Sequence, residues 1–346
     1  DLDNDGDQDL FIGGRLKPGR YPLPVSSRIL INQSNQGAVK FVDETEKVCP
    51  YLLDIGMVTD ALWLDIDNDN FDDLVIAGEW MSLKILKNLG GSELKNVTSG
   101  SGLEEEIGWW NSLAKGDFDA DGDVDLVAGN IGLNYKYKAS DKEPFEVYAK
   151  DYDNNGIIDI ILCYYEDGVL YPTKGRDKLS QHMPFLKNKF ASYHEFALAS
   201  IKDIFGEENL SSSINYKANN FASCIIENLG NGKFDVKPLP NMAQLSSVNS
   251  ILVQDFDSDD RLDILVTGNL YQSEMETPRN DASIGLMLKG KGDCSFDPLS
   301  AFSTGLYIQG DVKNACFINI GQNGTNHILF AKNNDRMQLI KVNNLN

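Results

Sequence analysis

Short apolar runs punctuate the chain at Leu74-Val75-Ile76-Ala77, Leu126-Val127-Ala128, Ile160-Ile161-Leu162 and Ile264-Leu265-Val266, each directly after a loop dense in acids. Their brevity, their β-branched residues and the glycines that bound them predict buried strands rather than helices. A second element recurs beside them: an apolar strand, a Gly/Asn turn, then another strand. Its copies run from Ile29-Leu30-Ile31-Asn32 to Phe41, from Ile85-Leu86-Lys87-Asn88 to Val97, from Cys224 to Phe234, from Ile284 to Phe296 and from His327 to Val342. Asn231-Gly232 is a strong hairpin turn signal. One stretch, about Arg176 to Tyr216, breaks the pattern. There Tyr193, Phe196, Ala197, Ile201, Ile204 and Phe205 recur at helical spacing, with Gly206 where a C-terminal cap belongs. Lys178 to Lys189 predicts a second short helix, interrupted at Pro184.

Loop plus hairpin makes a four-stranded unit of about 50 to 60 residues, the size of a propeller blade. Unit 1 ends near residue 55, and its first strand is expected before Asp1. Unit 2 spans about 56 to 105, and unit 3 opens at Trp109 with no placeable hairpin. Unit 4 follows from Phe145, its hairpin (Cys224 to Phe234) delayed by the helical stretch. Unit 5 runs from Val248 to about Gln309. Unit 6 starts at Asp311, and its loop, Asn319 to Asn326, lacks the acid pattern. A lone blade cannot hide both faces, so successive blades must stack. The expected fold is all-β: a single β-propeller domain over 1–346, six units visible and seven in the complete ring, with a helical insertion at 176–216. The chain begins inside a repeat, which suggests a piece truncated at its N-terminus.

The acid loops carry the chemistry. Acids or amides stand at positions 1, 3, 5 and 9 in Asp1-Asp3-Asp5-Asp9, Asp65-Asp67-Asp69-Asp73, Asp117-Asp119-Asp121-Asp125, Asp151-Asp153-Asn155-Asp159 and Asp255-Asp257-Asp259-Asp263. Position 7 (Asp7, Phe71, Asp123, Ile157, Arg261) adds its backbone carbonyl. The result is an all-oxygen cage of about six or seven ligands, which suits Ca2+, up to five ions in all. Nitrogen and sulfur ligands are absent, which disfavours zinc and copper. Position 6 holds Gly6, Asn70, Gly122, Gly156 and Asp260, all tolerant of positive φ. Position 12 is Ile12, Ile76, Ala128, Leu162 or Val266, so the glutamate of an EF-hand is missing and that motif is rejected. Loop 4, with Asn155, is expected to bind most weakly of the intact loops.

The net charge of −21 adds little to this. The five loops hold 23 of the 52 acids and only Arg261 among 31 basic residues, leaving 29 acids against 30 bases elsewhere. No basic stripe is present to neutralise phosphates, so nucleic acid is not an expected partner. No apolar stretch is long enough for a membrane span. Cys163, Cys224 and Cys316 lie in strand-like runs and are expected as buried free thiols.

Gly116-Asp117-Phe118-Asp119-Ala120-Asp121-Gly122-Asp123-Val124-Asp125-Leu126, with hairpins such as Ile226-Glu227-Asn228-Leu229-Gly230-Asn231-Gly232-Lys233-Phe234, resembles the FG-GAP/VCBS repeats of integrin α-chain propellers and secreted bacterial proteins. Gly129-Asn130-Ile131-Gly132-Leu133-Asn134, with Tyr171-Pro172 and Arg176-Asp177, is also similar to the bacterial relatives of cartilage acidic protein. The resemblance implies an extracytoplasmic, calcium-bound propeller used mainly for binding. Asn70 and Asp260 depart from the family's loop glycine.

The preferred reading is therefore a binding or adhesion module, secreted, periplasmic or on the cell surface, with structural calcium and an extracellular protein or glycan ligand. Two alternatives remain: a polysaccharide lyase or hydrolase, and a purely structural segment of a surface protein. No HExxH, P-loop or GxSxG element supports an enzyme. His182 and His194 read as solvent-facing or packing residues. Trp63, Trp80, Trp109 and Trp110 read as blade packing rather than sugar stacking.

Overall fold

A computed structural model describes residues 1–35, 37–273, 277–320 and 325–342. The chain is built from antiparallel sheets joined by few and short helices. The first sheet has three strands, β1 (Leu10–Ile12), β2 (Arg28–Asn32) and β3 (Phe41–Asp43), in that order. The second follows as β4 (Met57–Leu64), β5 (Asp73–Ser82), β6 (Lys84–Asn88) and β7 (Leu94–Asn96), with β8 (Ile107–Trp109) paired to the far end of β5. Then come β9 (Ser112–Gly116), β10 (Asp125–Gly129), β11 (Phe145–Lys150), β12 (Asp159–Glu166), β13 (Val169–Pro172), β14 (Ile214–Ala218), β15 (Cys224–Asn228) and β16 (Phe234–Pro238). The last two sheets are β17 (Ser250–Gln254), β18 (Asp263–Thr267), β19 (Leu286–Gly290), β20 (Phe296–Leu299), and β21 (Val312–Ile320), β22 (Thr325–Lys332), β23 (Gln338–Lys341).

The third sheet corrects the expected order of units. It runs β9-β10-β15-β16, so the Cys224 to Phe234 hairpin completes the sheet of loop 3, not that of loop 4. Loop 4 lies in a separate sheet, β13-β12-β11-β14, inserted between β10 and β15. The apolar and acidic pattern of the insert matches the other units, so linear order alone misassigned the hairpin. The neck is pinned where the chain leaves and returns. Asn130 donates its backbone N–H to Ser223 Oγ at 2.9 Å and its Nδ2 to the Asn220 carbonyl at 3.0 Å, and Gly132 N–H reaches the Phe221 carbonyl at 2.9 Å. Gly129 has no room for a side chain: a Cβ there would sit 2.4 Å from the Val248 carbonyl oxygen.

Alternation along each second strand shows how the sheets stack. Val75 and Ala77 pack with Leu126 and Ala128 of the third sheet, whereas Leu74 and Ile76 pack with Ile29 and Ile31 of the first. Val127 turns the other way, toward Ile264 and Val266 of the fourth sheet, and Leu265 faces Val312, Ile328 and Phe330 of the fifth. Period-two strands buried on both faces produce this face-to-face succession. The arrangement is β-propeller-like, and no sheet closes on itself.

The inserted sheet has its own core. Five short helices (Arg176–His182, Phe185–Lys189, Tyr193–Ala197, Ile201–Phe205 and Glu207–Ser211) cover one face, packing Leu179, Leu186, Phe196 and Ile204 on Ile161 and Cys163. The helical spacing from Tyr193 to Phe205 resolves into two helices, because Ser192 and Ser200 each open one with a capping box. Gly206 ends the second at φ 82°. The other face meets the second sheet through an aromatic cluster in which Trp80 stacks on Phe145 at 5.9 Å and meets Trp109 edge-on at 5.0 Å. Trp110 is fully buried and Trp63 packs against the core between the first and second sheets, so all four tryptophans serve packing. Cys163 and Cys224 are buried as expected, together with Cys49 and Cys294. Cys316 is exposed, contrary to expectation, since its neighbour Ala315 takes the inward place in β21. Among the described residues no helix is long and apolar enough to cross a membrane. The expected acid-free loop of unit 6 falls largely on 321–324, outside the described residues, between the paired ends Ile320 and Thr325 of β21 and β22.

Candidate metal centres

Loops 2 to 5 each join the first two strands of their sheet in chain order and loop 1 leads into β1; all five coil through two left-handed residues rather than one. Position 6 does so as expected (Gly6, Asn70, Gly122, Gly156 and Asp260 at φ 65–95°), and so does position 4 (Asn4, Asn68, Ala120, Asn154 and Ser258 at φ 57–61°). The asparagines at position 4 in three loops are the signal that sequence reasoning passed over. The coil is closed by the first acid: Asp1, Asp65, Asp117, Asp151 and Asp255 each accept the backbone N–H of position 6, at 2.7–3.2 Å.

This folding brings the side chains together. One oxygen each from Asp1, Asp3 and Asp5 lies within 4.8 Å of the others, and the same holds for Asp65-Asp67-Asp73, Asp117-Asp119-Asp121 and Asp151-Asp153-Asp159. Several of the carboxylate oxygens are buried yet have no hydrogen-bond partner: Oδ1 of Asp1, Asp7, Asp117, Asp153 and Asp257. An all-oxygen set with such unmatched acceptors fits a hard cation. In loop 4 the position 7 side chain points away, Ile157 being 67% exposed, which suits a role through the backbone carbonyl.

Position 9 is the most deeply placed ligand. Asp73, Asp125 and Asp263 are buried, and each accepts two backbone N–H groups, one from position 2 of its own loop and one from the third strand of the sheet. For Asp125 these are Phe118 at 3.0 Å and Asn228 at 2.8 Å. Asp73 takes Ile66 and Asn88, Asp263 takes Phe256 and Gly290, and Asp9 takes Leu2 and Asn32. Burial pushes the Asp73 carboxyl up to about 6 against the pull of these N–H groups, and raises Asp125, Asp159 and Asp263 in the same direction.

Adjacent loops are also wired to each other. Asn88 Nδ2 reaches back to the Leu2 carbonyl at 2.9 Å while Asn4 Nδ2 reaches forward to that of Asn70 at 3.1 Å. Asn228 and Asn68 repeat the exchange between loops 2 and 3, through the Ile66 carbonyl and Asp123 Oδ1. Gly290 has no side chain for this task in the fourth sheet. Cys294 takes it over, its buried thiol 3.4 Å from Asp125 Oδ2, which together with burial raises the thiol's pKa.

A family model described as an FG-GAP-like repeat matches residues 65–128, from the first acid of loop 2 through loop 3 to the strand beyond it. That stretch is similar to an FG-GAP repeat. No curated protein matches the chain closely. The matched FG-GAP-like segment therefore holds two loops, β5 to β9 and most of β10, and contributes to the cores on both sides of the second sheet. Sequence reasoning missed three features around the acid loops: the asparagines that link them, Cys294, and two lysines beside loops 2 and 5. Only the repeated Asn-Leu-Gly of Asn88-Leu89-Gly90 and Asn228-Leu229-Gly230 hinted at the first.

Proposed function

We propose that the chain is a calcium-stabilised β-propeller module that works outside the cytoplasm and binds a protein or glycan ligand. The observation that carries this reading is the convergence of loop carboxylates whose buried oxygens have no partner. Packed this closely, such acids repel unless a cation joins them. Calcium would supply that charge, held by the side chains of positions 1, 3, 5 and 9 and the carbonyl of position 7. The residues themselves fix the turn and tie first, second and third strands together. Extracellular modules hold calcium with Kd of about 10⁻⁴ to 10⁻³ M, which fits millimolar calcium outside the cell.

The face-to-face succession of sheets supports closure into a ring, with the loop 4 sheet as an insert on one side. FG-GAP repeats as protein-interaction elements support the binding role. Two open grooves are available to a ligand. One, of about 560 Å³, runs between Asp67, Lys87, Asp123 and Lys233; the other, of about 450 Å³, is lined by Lys136, Tyr137, Tyr164 and Tyr165 on the insert.

Thermal unfolding in chelator and in millimolar calcium tests the reading, followed by protein and glycan arrays under both conditions. Each occupied site should add about 1–2 kcal/mol to stability. Identical melting with no ion retained would sink the calcium assignment. Loss of array binding in chelator would support a ligand face organised by the loops.

A further inference from the structure

The five loops are not equivalent in charge. Lys87, in β6, places its ammonium on Asp67 Oδ2 and 3.4 Å from Asp69 Oδ2, the side chains at positions 3 and 5 of loop 2. Lys289, in β19, does the same in loop 5, contacting Asp257 Oδ2 and lying 2.9 Å from Asp259 Oδ2. Arg261 adds a guanidinium 2.5 Å from Asp259. The two lysines share one register position. Each immediately precedes the residue whose N–H bonds the position 9 carboxylate, Asn88 in one sheet and Gly290 in the other. At the same register the first sheet has Ile31 and the third has Glu227. Among the described residues no ammonium or guanidinium lies within 4 Å of a carboxylate in loops 1, 3 or 4.

Position 6 divides the loops the same way. Loops 1, 3 and 4 have glycine there; loops 2 and 5 have Asn70 and Asp260.

We propose that Lys87 and Lys289 act as built-in counter-cations, so that loops 2 and 5 are held closed by a side chain while loops 1, 3 and 4 require a metal ion. This rests on the calcium reading above and divides it: the donor sets of loops 1, 3 and 4 fit calcium, and those of loops 2 and 5 fit it only after an ammonium has been displaced. A tethered ammonium on two carboxylates supplies charge without paying the entropy of capturing a free ion. It also shares the oxygens that an ion at positions 3 and 5 needs. At that register loop 3 has Glu227, itself paired with Lys237, and so has no ammonium of its own.

The number of calcium ions bound per chain, measured by equilibrium dialysis and by calorimetric titration, tests this. The wild-type chain should bind about three ions in the submillimolar range. Lys87→Met should add one, and Lys289→Met combined with Arg261→Gln another. Glu227→Lys should remove one, by giving loop 3 the ammonium it lacks. If a variant fails to fold, Lys87→Gln and Lys289→Gln supply the same loss of charge with a polar side chain. Five ions of similar affinity in the wild type would overturn the division while leaving the calcium reading intact. So would three ions that do not rise when the lysines are removed. No bound ion in any variant would overturn both.

Discussion

Loops 3 and 4 share one acid spacing, yet their position 9 carboxylates are tied differently. In the third sheet Asp125 holds its own loop through Phe118 N–H and also the third strand through Asn228 N–H, a residue 103 positions away. In the inserted sheet Asp159 accepts Tyr152 N–H alone, at 3.1 Å. The strand next to it, β13, pairs only with Cys163 to Glu166 and never comes level with the loop. The helices take over there, packing on the face that a neighbouring sheet covers elsewhere. The same nine-residue loop is thus a three-strand clasp in one sheet and a local turn in the other. What it contributes depends on whether the following hairpin lies in register with it.

The sharpest way to break this comparison is to truncate the two carboxylates in turn. In chelator, Asp125→Ala should cost about 3–5 kcal/mol, because two buried N–H groups from different strands lose their acceptor. Asp159→Ala should cost about 1–2 kcal/mol, with a single N–H exposed. Equal losses in denaturant melts would show that the third strand adds nothing.

Acidity sharpens it next. The Asp73 carboxyl titrates near 6 in the folded chain against about 3.9 in an unfolded one. Its folded form therefore holds the proton more tightly, and stability in chelator should fall as pH rises from about 4 to 6.5, by up to about 3 kcal/mol. Calcium, which competes with that proton, should flatten or reverse the slope. A melting temperature that climbs with pH in chelator would contradict the burial argument for position 9.

The gentlest change is to excise the insert. Its ends meet where Asn130 N–H donates to Ser223 Oγ, so a short glycine-rich link can replace 131–222. The five in-line sheets should stay folded, at a cost of about 2 kcal/mol for uncovering Trp80 and Met57. A chain that no longer folds would mean that the insert belongs to the common core.

Much of this was legible in the residues. The acid spacing, the apolar runs and the Asn231-Gly232 turn placed the loops and hairpins correctly, since each is a local signal with a local cause. The insertion was not legible, because period-two patterning says which face of a strand is buried but not which strand is its partner. Only the unbroken run of units from loop 3 to loop 4, shorter than its fellows, carried a trace of it. The lysines escaped for a similar reason. A basic residue in a strand reads as solvated until the register sets it opposite an acid, as it does for Lys87 and Lys289 but not for Lys84, whose amine meets Ser82.

The reciprocal asparagine bonds between loops 1, 2 and 3 bear on how the chain comes apart under force. A pull on any one of these loops is passed to its neighbours through short polar crosslinks, so the rim they form resists as a unit. The fourth sheet joins that rim by one soft thiol contact and the Cys294 N–H on the Phe118 carbonyl, 3.5 Å away. Along the loop rim the coupling between the third and fourth sheets is therefore the softer one, and their shared buried core carries the rest of the load.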